Sequence, residues 1–334
     1  MKPALVELEH CTLCEHRCGA NRLAGESGVC GVTLPAVASA QLHPAPPSSY
    51  TVFMAGCNFK CLNCQNWIIS CYPSVDVGIR GFVEPRELAA ECVAALHSRG
   101  ARAIAADRIF FSGGAPDVHL PYVEEVVREA RRRDPGIQVN FDTNGYLTEA
   151  SFARVLAFAT SVTFDIKAVD DEVHRALTGA SVGPVLRNAE KIGREHPEKL
   201  WEYRVLVIPG ITEGEVGALC DFIAGIDPGL PVCFLAFRPN YVLEHHPGPS
   251  VALMEQCVAT AAAKGLGNAH WSGHPGIRGR PARPDPELSG LYRSRAALLA
   301  ASAAKAAGCV TQPRSCRGCS ASCRVKAYVP SRAY

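Results

Sequence analysis

Between residues 49 and 264 the sequence repeats one pattern six times: a short apolar run, then a longer stretch of helical period. Short apolar runs bounded by turn residues read as buried strands, and apolar positions three and four apart read as one helix face. The strands fall near 50–55, 108–112, 138–142, 161–166, 202–208 and 232–237, and the helices near 85–97, 118–133, 148–157, 182–195, 213–226 and 250–264. Pro85 suits a first helical turn, and Thr148 can cap the helix that follows it. Strands that alternate with helices pair in parallel, are covered on both faces and cross over right-handed. The expected fold is therefore α/β, a partial (β/α)6 TIM-like barrel. In such folds the groups that act on ligands stand at the C-terminal strand ends. Here those ends carry Cys57, Cys61 and Cys64; Gly113 and Gly114; Asp142, Thr143 and Asn144; Asp165 and Lys167; Pro209 and Gly210; and Arg238.

With 334 residues, 48% of them hydrophobic and 20% charged, the chain can bury one sizeable core, which excludes disorder, collagen and coiled coil. No stretch approaches the roughly 18–20 apolar residues of a membrane span. Glu7 and Glu9 interrupt any apolar signal region, so a cytoplasmic, reducing location without membrane contact is expected. Sixteen cysteines are the abnormal count. A chain of this size needs no disulfide staples, so metal or redox chemistry is the leading account.

The cysteines divide the chain into three: a cysteine-rich module over 1–48, the barrel over 49–265 and a basic extension over 266–334. Cys11, Cys14, Cys18 and Cys30 place four thiols within 20 residues, a metal signal that leaves structural zinc and an auxiliary iron-sulfur cluster both open, with His10 and His16 as spare ligands. Cys316, Cys319 and Cys323, with Cys309 as the obvious fourth ligand, form a second candidate metal group. Cys71 reads as an unliganded thiol, and Cys92, Cys220, Cys233 and Cys257 as small buried hydrophobes. The spacing Cys57-x3-Cys61-x2-Cys64 matches neither paired zinc thiols nor a bacterial ferredoxin run. Three thiolates can hold three irons of a [4Fe-4S] cubane, leaving the fourth iron open to a small chelating ligand.

That spacing, placed after the first strand, resembles the signature of the radical S-adenosylmethionine (radical SAM) superfamily. Gly113-Gly114-Ala115-Pro116 is similar to its G-G-E-P segment, with Ala in place of Glu. Thr143-Asn144-Gly145, Asp165-Ile166-Lys167 and Val207-Ile208-Pro209-Gly210 resemble segments of the branch of pyruvate formate-lyase activating enzymes. The cysteine-rich opening and Cys64-Gln65-Asn66 resemble activating-enzyme-like proteins. Asn63 stands where an aromatic residue is usual beside the adenine, which turns attention to Phe59 and Tyr146.

The resemblance implies a radical SAM barrel and a [4Fe-4S] cluster on Cys57, Cys61 and Cys64 that binds S-adenosylmethionine. Reductive cleavage would give a 5′-deoxyadenosyl radical that takes hydrogen from an unactivated C–H bond, while the protein orients it and excludes side reactions. Gly113, Gly114, Asp142, Asn144, Asp165 and Lys167 become the expected cofactor-binding residues. A protein or peptide substrate, as in glycyl-radical activation, is the first expectation, with an electron donor such as flavodoxin or ferredoxin. RNA or small-molecule modification is the alternative. Auxiliary clusters at either end would point to small-molecule modification, and the RNA reading is motivated by residues 266–334, where eleven Lys or Arg face only Asp285 and Glu287, a net +9 against −7 for the rest. That segment is expected to face the substrate.

Overall fold

The computed structural model describes residues 3–73, 76–275 and 283–307. Eight strands form one sheet in sequential order: β1 (Val37–His43), β2 (Ser49–Met54), β3 (Arg108–Gly113), β4 (Gln138–Thr143), β5 (Ser161–Ile166), β6 (Leu200–Val207), β7 (Val232–Ala236) and β8 (Ala269–Ser272). Neighbours from β2 to β4 and from β6 to β8 run parallel, and only β1 is shown antiparallel to its partner, β2. The expected partial (β/α) barrel is borne out, with each of the six expected strands within two residues of its observed bounds.

Two strands were not expected. The β1 sequence, VASAQLH, has weak alternation, and its antiparallel bond to β2 is made by a single bulged ladder. Strand β8 has four residues of alternating half-exposure, too short for a periodic signal.

The α-helices are α1 (Trp67–Ser70), α2 (Pro85–Leu96), α3 (Arg99–Ala103), α4 (Leu120–Arg133), α5 (Glu149–Phe158), α6 (Asp171–Thr178), α7 (Gly183–Glu195), α8 (Val216–Ala224), α9 (Val251–Ala263) and α10 (Arg295–Ala306). Thr148 accepts from the Ser151 N–H and caps α5, and Ser250 does the same for α9 through the Leu253 N–H. Among the described residues no helix is long and apolar enough to cross a membrane.

The chain divides into two compact units, Met1–Asn58 with Asn66–Thr163, and Phe59–Gln65 with Phe164–Tyr334. In the second unit, α10 is a core element. Ala297, Leu299, Ala300, Ala301 and Ala304 are buried with Leu177 of α6 and with Leu62. Glu172 accepts the Arg293 and Ser294 N–H groups and so fixes the start of α10.

Candidate active site

The cysteine loop leaves the end of β2 through Gly56 and passes from one unit to the other: Cys57 belongs to the first, Cys61 and Cys64 to the second. In the first unit, the backbones of β2 and β3 meet closely behind Cys57. The Gly114 N–H donates to Met54 O at 2.8 Å and the Ala115 N–H to Gly56 O at 2.9 Å. A Cβ on Gly114 would lie 2.1 Å from Gly56 O, and one on Gly113 would lie 2.5 Å from Met54 N. The Gly113-Gly114 pair is thus required by backbone approach at the base of the loop.

Asn144, at the end of β4, is buried against the same base. Its Nδ2 donates to Asn58 Oδ1 at 2.7 Å and lies 4.0 Å from Cys57 Sγ, while its Oδ1 accepts the Tyr146 N–H. Asn58 Nδ2 is buried and without a partner among the described residues. Ser112 donates to the Asp142 carboxylate at 2.6 Å, and Thr143 donates to Asp117. The first joins the neighbouring ends of β3 and β4, and the second ties the end of β4 to the 3-10 turn Pro116–His119.

In the second unit, the loop is pinned to α6. The Lys60 N–H donates to Thr178 O and the Leu62 N–H to Leu177 O, while Leu62 itself is fully buried. Burying a leucine contributes roughly 2–3 kcal/mol, enough to hold a loop this short. Burial pushes the Cys61 thiol up to about 12, opposed by the Lys167 ammonium, which favours the thiolate. Lys167 is ion-paired with Asp165 at 2.6 Å, both half-buried. Asn63 Oδ1 is buried without a partner among the described residues.

Phe59 and Tyr146 each have an aromatic neighbour. Phe59 meets His174 edge-on at 5.3 Å, and Tyr146 lies 4.8 Å from the His16 ring. His16 is bonded to Asn58 O at 2.8 Å. The structure therefore places it beside the Cys57 loop, while Cys11, Cys14, Cys18 and Cys30 line a separate cavity that includes neither His10 nor His16.

Cys92, Cys220, Cys233 and Cys257 are buried, as expected. His246 is buried with its ring bonded to Pro209 O, whereas its neighbour His245 is exposed. Glu202, Cys233 and His270 bring three donor atoms within 4.8 Å of one another. Glu202 already holds Arg204 at 2.6 Å. Cys309, Cys316, Cys319 and Cys323 lie outside the described residues.

Sequence reading passed over Asn58, Arg22 and α6. Asn58 had a signal, its place beside Cys57, and α6 had two, the Asp170 N-cap and Gly179 in the left-handed conformation at its end. Arg22 had none, because its burial depends on Val118, 96 residues away.

The radical SAM superfamily model matches residues 51–223, just over half of the chain. An uncharacterised protein of Methanocaldococcus jannaschii is 26% identical over 264 residues, covering 74% of each chain. The isethionate sulfite-lyase activating enzyme of Oleidesulfovibrio alaskensis is 33% identical over 121 residues, which span 36% of this chain and 38% of that enzyme. The pyruvate formate-lyase 1-activating enzyme of Escherichia coli K12 is 26% identical over 175 residues, 52% of this chain and 66% of that one. With that match across β2 to α8, the loop of three thiols included, the chain belongs to the radical SAM superfamily.

Proposed function

We propose that Cys57, Cys61 and Cys64 hold the [4Fe-4S] cluster that this family uses with S-adenosylmethionine, and that the enzyme abstracts hydrogen from a protein or peptide, in the manner of a glycyl-radical activating enzyme. The observation that carries the reading is the family match over residues 51–223, which includes the Cys57-x3-Cys61-x2-Cys64 loop. Similarity to enzymes named as activating enzymes supports the choice of substrate class. The donor set suits the cluster, because three thiols on one loop leave a coordination position to the cofactor. The orphaned donor Asn58 Nδ2 and acceptor Asn63 Oδ1, each beside a loop cysteine, suit a polar group there.

When bound, the cluster and S-adenosylmethionine supply a 5′-deoxyadenosyl radical. The protein's residues position and shield. Asn144 directs an N–H toward Cys57 Sγ and fixes Asn58. Lys167 favours the Cys61 thiolate and opposes part of the effect of burial. Gly113 and Gly114 let the β2 and β3 ends close behind the loop. Asp142, Asn144, Asp165 and Lys167 are the proposed polar contacts for the cofactor, and burial of Cys57 and Cys61 excludes water.

Anaerobic, reconstituted full-length protein given S-adenosylmethionine and dithionite should release 5′-deoxyadenosine, and with a glycine-loop peptide it should yield a glycyl radical by electron paramagnetic resonance. A flavodoxin or ferredoxin should replace dithionite. Absence of 5′-deoxyadenosine overturns the whole reading; its release without any effect of peptide or glycyl-radical protein overturns the substrate class alone.

A further inference from the structure

We propose that Cys11, Cys14, Cys18 and Cys30 hold a tetrathiolate metal centre, separate from the 57–64 loop, with the buried Arg22 guanidinium as its counter-charge. All four cysteines line one cavity of about 20 Å³, whose wall also includes Arg22, Gly28 and Val118. The chain around it is set up to converge. The Cys11 N–H donates to Ala20 O and the Gly19 N–H to Cys11 O, which brings the first three cysteines back on themselves. The Val29 N–H reaches Cys18 Sγ at 3.4 Å, and a Cβ on Gly28 would lie 2.8 Å from that sulfur. Only glycine leaves that sulfur its room.

Arg22 points to the charge of what belongs there. Only 1% of its surface is exposed. Its Nε donates to Thr33 O at 2.8 Å, and its Nη1 donates to Val118 O at 2.6 Å and lies 3.7 Å from Cys11 Sγ. Its Nη2 has no partner among the described residues, and no carboxylate lines the cavity. A guanidinium keeps its proton in a protein, and burying one without an opposite charge costs several kcal/mol. Four neutral thiols would leave that cost standing. Four thiolates around Zn²⁺ or around a [4Fe-4S]²⁺ core both total −2, so either centre offsets it.

The two metals share this chemistry. Metal binding releases the thiol protons and involves no change of oxidation state in the protein. Unlike the 57–64 loop, the chain supplies all four ligands, so the centre is closed and has no position for a substrate. It also acts as a clamp, since Cys30 O and the Val32 side chain pack on Gly56, one residue before Cys57.

The test uses the full chain with Cys57, Cys61 and Cys64 all replaced by Ala, purified anaerobically and analysed for iron, sulfide and zinc. It should retain about four iron and four sulfide, or about one zinc, per chain. Adding Cys14→Ala and Cys18→Ala should lower the content by that amount. In the otherwise unmutated protein, Arg22→Gln should lose this metal to a chelator about tenfold faster than Arg22→Lys, with circular dichroism unchanged. Iron with sulfide identifies a cluster and zinc a mononuclear centre, and both support the site. A triple variant that folds without either metal, or whose metal is indifferent to Cys14 and Cys18, overturns it. Equal chelator resistance of the two Arg22 variants overturns the counter-charge. None of these measurements depends on cleavage of S-adenosylmethionine.

Discussion

Cys11, Cys14, Cys18 and Cys30 lie in a segment whose only helices are the 3-10 turns Pro3–His10 and Arg22–Ala24, whereas Cys57, Cys61 and Cys64 follow directly from β2 and are pinned by α6. The first group converges around a buried cation; the second is fixed by strand ends, backbone glycines and a buried leucine. The proposed metal on the first group would hold together a stretch with little regular structure, and its four ligands would close it off. A loop already held by the fold can leave its metal a ligand short, and the missing ligand is where chemistry enters.

The sharpest way to break this contrast is to remove one thiol from each group. Cys61→Ala should reduce 5′-deoxyadenosine formation to background, because two thiolates cannot hold a site-differentiated cubane. Cys14→Ala should lower metal content yet leave the cofactor-dependent change in the cluster spectrum. Loss of that change in Cys14→Ala would make the two groups one site.

A smaller effect separates how the two segments are packed. Gly114→Ala drives a Cβ to 2.1 Å from Gly56 O, so it should cost about 3 kcal/mol or more and release the cluster. Gly25→Ala, in the cysteine-rich segment, meets nothing within 4 Å and bears only the strain of φ +88°, about 1 kcal/mol. Thermal unfolding of the two variants checks the difference, and equal midpoints would mean that the strand ends give way freely.

The smallest effect is the response of the α6 anchor to acid. Burial holds the His174 ring, which packs on Phe59, down at about 4 from 6.5. Below pH 6.5 the unfolded chain takes up a proton that the native ring refuses, so stability is complete above that pH and falls as pH drops toward 4. The loss should be about 1 kcal/mol at pH 6 and grow below it. His174→Gln should flatten this part of the stability profile; an unchanged slope would assign it to other groups.

Much of this fold was legible. Strand β5 occupies the expected residues 161–166, where Val162, Phe164 and Ile166 alternate with Ser161, Thr163 and Asp165 in a period of two. The β1 strand was not legible, since its polar and small residues are ordered by pairing with β2 and not by their own pattern. The role of α10 was also hidden. Residues 266–334 were expected to form an extension facing the substrate, and nothing local says that the alanine-rich face of α10 packs with Leu62 and Leu177. Of the expected cofactor residues, Gly113 and Gly114 have a full account in backbone packing, whereas Asn144 lies beside Cys57 as its position at a strand end suggested.

The sequence by itself determined the order of strands and helices and the number and spacing of the thiols in each group, since periodicity and ligand spacing are local properties carried within a dozen or so residues. Tertiary structure alone decided what surrounds those thiols. Asn144 reaches Cys57 across 87 residues, Arg22 is held by a carbonyl 96 residues away, and Leu62 is covered by a helix that begins at Arg295. Such contacts depend on how distant segments pack, and the charge, burial and hydrogen bonds that decide a thiol's chemistry come from those neighbours.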